Sequence, residues 1–409
     1  MSTVLLILAL LGFISIIAED YIGIDKAKTT LFFGTLAWML YFIAPPGGLS
    51  NEQLMHALNE NLLEIASLWL FLMAAMTFVA YVSSKGVIDA LSYKVLPKKM
   101  TQRQLMMVVG VFAFVFSSMA DNITATLICI TVLMSLKLTT DKLIRYVVLT
   151  VFAVNSGGAA LITGDVTTLM IFLAGKVQIV DLILLSVPAL VAVLFLAFML
   201  SLNLKGEVIL EKQRIYIRTG DKIITGLFLA TILGTIAVNV AFGIPPVLSF
   251  LFGLAVMFMA VTLINKDEPI LEYIRKIEFD TLLFFLGVLL LVGILKELHV
   301  LQHFLSLYEN VPVLAANYIM GLFSALIDNV PLTAALLKSG IDMNTGEWLT
   351  LTYSVGVGGS LLAIGSAAGV VSMSKVPGLT FVAYLRYFVY LLIAYSAGFA
   401  GVYFISQFV

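Results

Sequence analysis

Ser117-Ser118-Met119-Ala120-Asp121-Asn122-Ile123-Thr124 and Ser324-Ala325-Leu326-Ile327-Asp328-Asn329-Val330-Pro331 decide how this chain is read. Each sets a Ser four residues ahead of an Asp-Asn pair inside an apolar segment, and the two lie about half the chain apart. A second matched pair follows them. Gly157-Gly158 leads to Gly164-Asp165, and Gly358-Gly359 leads at the same spacing to Gly365-Ser366. Polar interruptions repeated in the same order are what duplicated membrane-transporter halves with broken helices show.

Composition agrees. The 409 residues are 61% hydrophobic and 11% charged, with a mean hydropathy of +1.09, whereas about a quarter of an ordinary soluble domain is charged. This composition implies an integral membrane protein in contact with lipid. A net charge of −1 argues against nucleic-acid binding. Cys129 is the single cysteine, so neither a disulfide framework nor a Cys-rich metal site is available. Thr3 to Ala18 is apolar with no basic residue before it and reads as a retained span rather than a cleaved signal.

About 20 apolar residues cross a bilayer as a helix. That rule places spans near 3–19, 29–45, 62–84, 179–204, 221–242, 246–265, 277–297 and 379–407, and interrupted spans at 143–175 and 347–374. The stretches 105–136 and 311–338 each carry a Ser…Asp-Asn core and read as re-entrant hairpins. Loop charge supports this, because cytoplasmic loops are rich in Lys and Arg. With both termini outside, the hairpin arrangement puts nearly all of the 23 basic residues inside, among them Lys26, Lys94, Lys137, Lys212 and Arg214. Lys176, Lys296 and Lys338 fall outside. The expected fold is therefore an all-α polytopic membrane protein of about ten transmembrane helices, two hairpins and two interrupted helices. Its halves, 1–204 and 221–409, are inverted repeats joined by a cytoplasmic linker, 205–220, that contains Glu211. The first hairpin enters from the cytoplasm and the second from outside.

Asp121, Asp165 and Asp328 lie inside apolar stretches, Glu64 lies near a span end, and no Lys or Arg is expected at comparable depth. A mid-membrane carboxylate costs about 2.5–3.5 kcal/mol on insertion scales. Three of them without a basic partner must bind protons, bind a cation, or alternate between the two, which is the chemistry of cation/proton exchange. The neighbours suit a small hard cation such as sodium. Asn122, Asn155 and Asn329 offer amide oxygens, while Ser117, Thr124, Thr167, Thr168, Ser324, Thr333 and Ser366 offer hydroxyls. Sodium is expected at Asp121, Asn122, Asp165, Asp328 and Asn329, with Ser117, Thr124, Glu64 and Ser360 as secondary positions.

These motifs resemble the NhaD-type sodium/proton antiporters of the ion transporter superfamily over nearly the whole chain. The resemblance is carried by Lys26-Ala27-Lys28-Thr29-Thr30-Leu31-Phe32-Phe33-Gly34-Thr35-Leu36, Ala120-Asp121-Asn122-Ile123-Thr124-Ala125-Thr126, Asn155-Ser156-Gly157-Gly158 through Thr163-Gly164-Asp165-Val166-Thr167-Thr168, and Asp328-Asn329-Val330-Pro331. It implies proton-driven export of sodium, often also lithium, across a bacterial inner membrane, with no cofactor and no enzymatic activity. It further implies a homodimer in which a transport domain carrying the hairpins moves against a scaffold. The family's functional residues match at Asp121, Asn122, Asn155, Asp165, Thr167, Thr168, Ser324, Asp328, Asn329 and Ser366. Where relatives carry two hydroxyls three apart, this chain has Ala363 and Ser366.

Three other readings compete, one of them a passive cation channel, which would not drive sodium uphill from a pH gradient. A sodium-coupled carboxylate or oxyanion transporter of the same superfamily needs a basic group in the site. An intramembrane aspartyl protease would use two carboxylates sharing a proton, but Ile162-Thr163-Gly164-Asp165 has Ile where a Gly-x-Gly-Asp pattern needs its first Gly.

Overall fold

The computed structural model describes residues 2–17, 23–46, 49–87, 90, 98–136, 138–209 and 216–409. Lys94, Lys137, Glu211, Lys212 and Arg214, used above for topology, lie outside the described residues. Helices α1 (Ser2–Ile17), α2 (Lys26–Ile43) and α3 (Asn51–Ser84) come first. Strand β1 (Lys99–Thr101) leads into α4 (Gln102–Met119), α5 (Asn122–Met134), α6 (Thr140–Gly158), α7 (Val166–Leu173) and α8 (Ile179–Ser201). Strand β2 (Glu207–Ile209) precedes α9 (Thr219–Phe242), α10 (Pro246–Ile264), the short α11 (Ile270–Arg275) and α12 (Phe279–Glu297). The rest is α13 (Gln302–Asn310), α14 (Val313–Ser324), α15 (Asn329–Lys338), α16 (Thr345–Gly358), α17 (Ala367–Lys375), α18 (Phe381–Leu385) and α19 (Phe388–Ser406).

Among the described residues, seven helices, α3, α4, α8, α9, α10, α12 and α19, are long and apolar enough to cross a membrane, and α1, α5 and α14 are shorter apolar helices. The protein is thus a helical, multi-pass membrane protein. Three details depart from the sequence reading. The span expected at 379–407 is divided into α18 and α19. The fold is not purely helical: β1 pairs antiparallel with β2, Lys99 opposite Ile209 and Thr101 opposite Glu207, so the 205–220 linker begins as a strand. The third departure has the largest consequence. Helix α2 begins at Lys26 rather than near 29, because Asp25 caps it and accepts from Ala27 N at 2.7 Å.

Four apolar segments break where the sequence suggested. The breaks fall between α4 and α5, α6 and α7, α14 and α15, and α16 and α17. In each case the residue that restarts the helix is its N-cap, and the four N-caps are Asp121, Asp165, Asp328 and Ser366. Asp121 accepts from Thr124 N at 2.7 Å, Asp165 from Thr167 N at 3.0 Å, Asp328 from Val330 N at 3.1 Å and Ser366 from Gly369 N at 3.3 Å. Such side chains take up helix-start N–H groups that would otherwise be orphaned. The positive end of each new helix in turn offsets part of the carboxylate charge, by about 0.3–1 kcal/mol or somewhat more when buried.

Matched contacts lock each broken pair to its neighbour. Ser117 Oγ lies 2.8 Å from Val154 O, and Ser324 Oγ donates to Val355 O at 2.7 Å. Gly157 crosses against Phe114, and Gly358 crosses against Gly321. At both glycines an added Cβ would overlap the facing carbonyl oxygen. These crossings bring the four breaks together at the centre of the molecule.

Candidate functional site

A cavity of about 190 Å³ opens where the breaks meet. Asp121, Asn122, Asn155, Asp165, Asp328, Asn329 and Ser366 all line it, so seven of the ten expected site residues share one space. At its centre, Asp165 is 7% exposed. Its Oδ2 accepts from Asn122 Nδ2 at 3.3 Å and from Asn329 Nδ2 at 3.2 Å. The amides of both Asp-Asn pairs thus converge on one carboxylate, while the aspartates of those pairs cap their own helices.

The remaining polar atoms form a shell around that carboxylate. Ser117 Oγ sits 2.7 Å from Asn122 Oδ1, and its single proton serves either that oxygen or Val154 O. Asn155 is fully buried and donates to Val151 O and to Ser366 Oγ, at 2.9 and 3.1 Å. Asn155 Oδ1 has no hydrogen-bond partner among the described residues. A buried carbonyl oxygen left unpaired is costly, and it is the type of ligand a small alkali cation takes. Thr124 donates its hydroxyl to Asp121 Oδ2 at 2.7 Å, and both residues also line a second, adjoining cavity.

Other expected residues lie elsewhere. Ser324 is fully buried, with its hydroxyl given to Val355 O, and knits α14 to α16. Ser360 donates to Val357 O at 2.5 Å, within its own turn. Thr167 and Thr168 are buried on α7 and do not line the cavity; Thr168 Oγ1 and Thr333 Oγ1 are without partners among the described residues. Ala363, where relatives would place a hydroxyl, is fully buried. Glu64 does not line the cavity and pairs with Lys338 at 2.8 Å, while Lys338 also donates to Asn61 Oδ1 at 2.6 Å.

That last pair carries a prediction. Lys338 ends α15 with only 8% of its side chain exposed, and Glu64 is 48% exposed on α3. Glu64→Gln should therefore lower the thermal midpoint by a few degrees, the scale of about 1 kcal/mol once solvent screening is allowed for. The apparent sodium affinity should stay within about twofold of the parent. Melting curves and sodium titrations of the purified variant check both.

The structure corrects one premise. The sequence reading expected no basic group at the depth of the aspartates. Lys26 Nζ lies 3.4 Å from Asp328 Oδ2 and 4.7 Å from the centre of the Phe284 ring, and Lys26 lines the cavity. Starting α2 at Lys26 swings this side chain inward over the second turn of α12. Among the described residues, no Lys or Arg pairs with Asp121 or Asp165. The cavity is also lined by polar residues that the sequence reading did not place in the site, among them Asp25, Glu278, Asp280 and Thr281. Glu278, Asp280 and Thr281 cluster at the start of α12, inside the expected span 277–297. Acidic residues on an end expected to be basic were the signal for them.

Residues 4–369 match the family model described as citrate transporter. The chain is 33% identical to the Na(+)/H(+) antiporter NhaD of Vibrio cholerae, over 95% of its own length and 89% of the relative's. It is 32% identical to the Na(+)/H(+) antiporter NhaD of Vibrio parahaemolyticus, over 88% and 95%. A plant relative, sodium/proton antiporter 1 of Arabidopsis thaliana, is 29% identical over 89% of this chain and 65% of its own.

Proposed function

Since the chain belongs to the citrate transporter family and, within it, to the group of the NhaD Na+/H+ antiporters, we propose that it exchanges sodium for protons across a bacterial inner membrane. The observation that carries this reading is Asp165, a buried carboxylate with no basic partner among the described residues, on which the amides of both Asp-Asn pairs converge. Sodium from the cytoplasm is held by Asp165 together with oxygens of Asn122, Asn155, Asn329 and Ser366, and Asp121 and Asp328 complete the charge. Protons taken from outside occupy the same carboxyls after release. An empty, fully ionised site is the form least able to cross, because desolvated bare charge is expensive. That cost couples the two fluxes. Lithium, close to sodium in charge and ligand preference, is a second cargo.

This reading includes an architecture. The two halves are inserted in opposite senses, and the α4–α5 and α14–α15 pairs are hairpins whose tips meet at mid-membrane. The matched caps, the Ser117 and Ser324 contacts and the Gly157 and Gly358 crossings support that arrangement. Apolar residues left exposed on α9 and α10, such as Leu233 and Phe252, suit lipid and the second copy of a homodimer.

The family's description and Lys26 together favour a second reading, sodium-coupled uptake of a carboxylate. Against it, Asp121, Asp165, Glu278, Asp280 and Asp328 line the same space as Lys26, and an anion would meet a strongly negative wall. Purified protein in sealed proteoliposomes decides between them. An imposed sodium gradient should generate a pH gradient without any organic anion. Sodium movement that requires citrate, with no pH change, would establish the second reading instead.

A further inference from the structure

We propose that Lys26 is the resident counter-ion of the empty site: its ammonium holds Asp328 when no cargo is present, and an entering sodium ion displaces it. This rests on the cation-binding part of the reading above. Three observations bring the two residues into one account. Asp328 Oδ1 is committed to Val330 N, which leaves Oδ2 for a cation, and Lys26 approaches that oxygen. The approach is loose. It measures 3.4 Å, against about 2.7–2.9 Å for a firm ammonium–carboxylate bond. The ammonium also faces the Phe284 ring at 4.7 Å, so it has an alternative resting place when it leaves the carboxylate, and cation–π attraction steadies it there.

Placement gives the pair its role. Lys26 opens α2, which packs on α1 and α12, whereas Asp328 caps α15, which packs on α7 and α12. Asp328 and Asp165 line the same cavity as Lys26, so a sodium ion entering beside Asp165 meets the ammonium at Asp328. Lysine's charge sits on a flexible four-carbon stem, so it can withdraw without moving the backbone. A site that carries its own cation stays charge-compensated when empty, and it binds sodium only as tightly as the exchange of one monovalent cation for another allows. Lys26 therefore sets affinity and speeds release. It is a positioning residue, acting through Asp328.

Sodium binding to purified Lys26→Met, Lys26→Arg and Asp328→Asn in detergent, followed by exchange rates in proteoliposomes, tests this. Lys26→Met should bind sodium roughly two- to fivefold more tightly, the scale of an ion pair that keeps partial contact with water. Its apparent KM and its maximal rate should fall together, because release slows. Lys26→Arg keeps the charge and should stay near the parent. Asp328→Asn should bind sodium more weakly, and adding Lys26→Met to it should change nothing further, since the competition has lost its object. Weaker or unchanged sodium binding in Lys26→Met, with a parental Asp328→Asn, would overturn the proposal. If Lys26→Met does not fold, Lys26→Gln alone and in Asp328→Asn replaces it: a loss of charge at residue 26 that changes sodium binding equally with and without the Asp328 carboxylate overturns it. Parent protein that binds sodium but moves no protons would contradict the exchanger reading while leaving the binding comparison intact. Parent protein that binds no sodium would overturn both.

Discussion

Asp165→Asn is expected to abolish sodium-dependent proton movement while the protein still inserts and folds. The change is nearly isosteric. An Asn at this position can keep accepting from Thr167 N and so can keep capping α7. What it loses is the charge, together with the acceptor that two amides now share. The new amide nitrogen would face Asn122 Nδ2 and Asn329 Nδ2, and three donors in one place must turn at least one amide around. Removing one partner of a buried charged set costs about 3–5 kcal/mol, a fall in sodium affinity of more than about 100-fold. Sodium titration of the purified variant and dye-reported exchange in vesicles measure the two consequences. Parental affinity in this variant would place the cargo elsewhere in the cavity.

The second large effect is on assembly. Gly157→Ala and Gly358→Ala each set a methyl group against a backbone carbonyl, that of Phe114 in one case and of Gly321 in the other. No side chain can rotate out of the way, so the helices must separate. Overpacking of this kind costs about 1–3 kcal/mol, and rigid backbone on both sides puts these two sites at the upper end. Both variants should show lower yield and a lower melting temperature, with the double variant close to additive because the crossings lie in different helix pairs. An unchanged melting temperature in either single variant would mean that the crossing is looser than described. The glycines are needed here for close approach, as small residues are at other membrane helix contacts.

Much of this was legible in the sequence, because broken apolar helices leave a chemical trace. A carboxylate has to be explained wherever lipid surrounds it, so Asp121, Asp165 and Asp328 pointed to one site, and the repeated Ser…Asp-Asn spacing located two of the helix breaks. The sequence could not say what each polar group points at. Ser117 and Ser324 look identical to Thr124 as oxygen donors. In the fold, Ser324 spends its proton on a neighbouring helix, whereas Thr124 bonds to Asp121 itself. Similarly, the Asn of each Asp-Asn pair turns toward Asp165, and nothing local to 121–122 or 328–329 reveals that. Lys26 was misread for a different reason. A hydropathy window begins a span at its first apolar residues, and Lys26-Ala27-Lys28 therefore looked like loop. The Asp25 cap pulls the helix start back over them, and a long flexible side chain does the rest. Glu278, Asp280 and Thr281 fall inside the expected span 277–297 and were not weighed there as site residues, although all three line the cavity.

Exchange requires sodium and protons to occupy one set of carboxyls in turn. Proton release from the purified protein tests this without a membrane. Sodium chloride is added to detergent-solubilised parent in an unbuffered solution containing a pH dye, with choline chloride as the control for ionic strength. Sodium should release protons saturably, choline should release none, and Asp165→Asn should release far fewer. Sodium binding at full occupancy with no proton released would contradict the account.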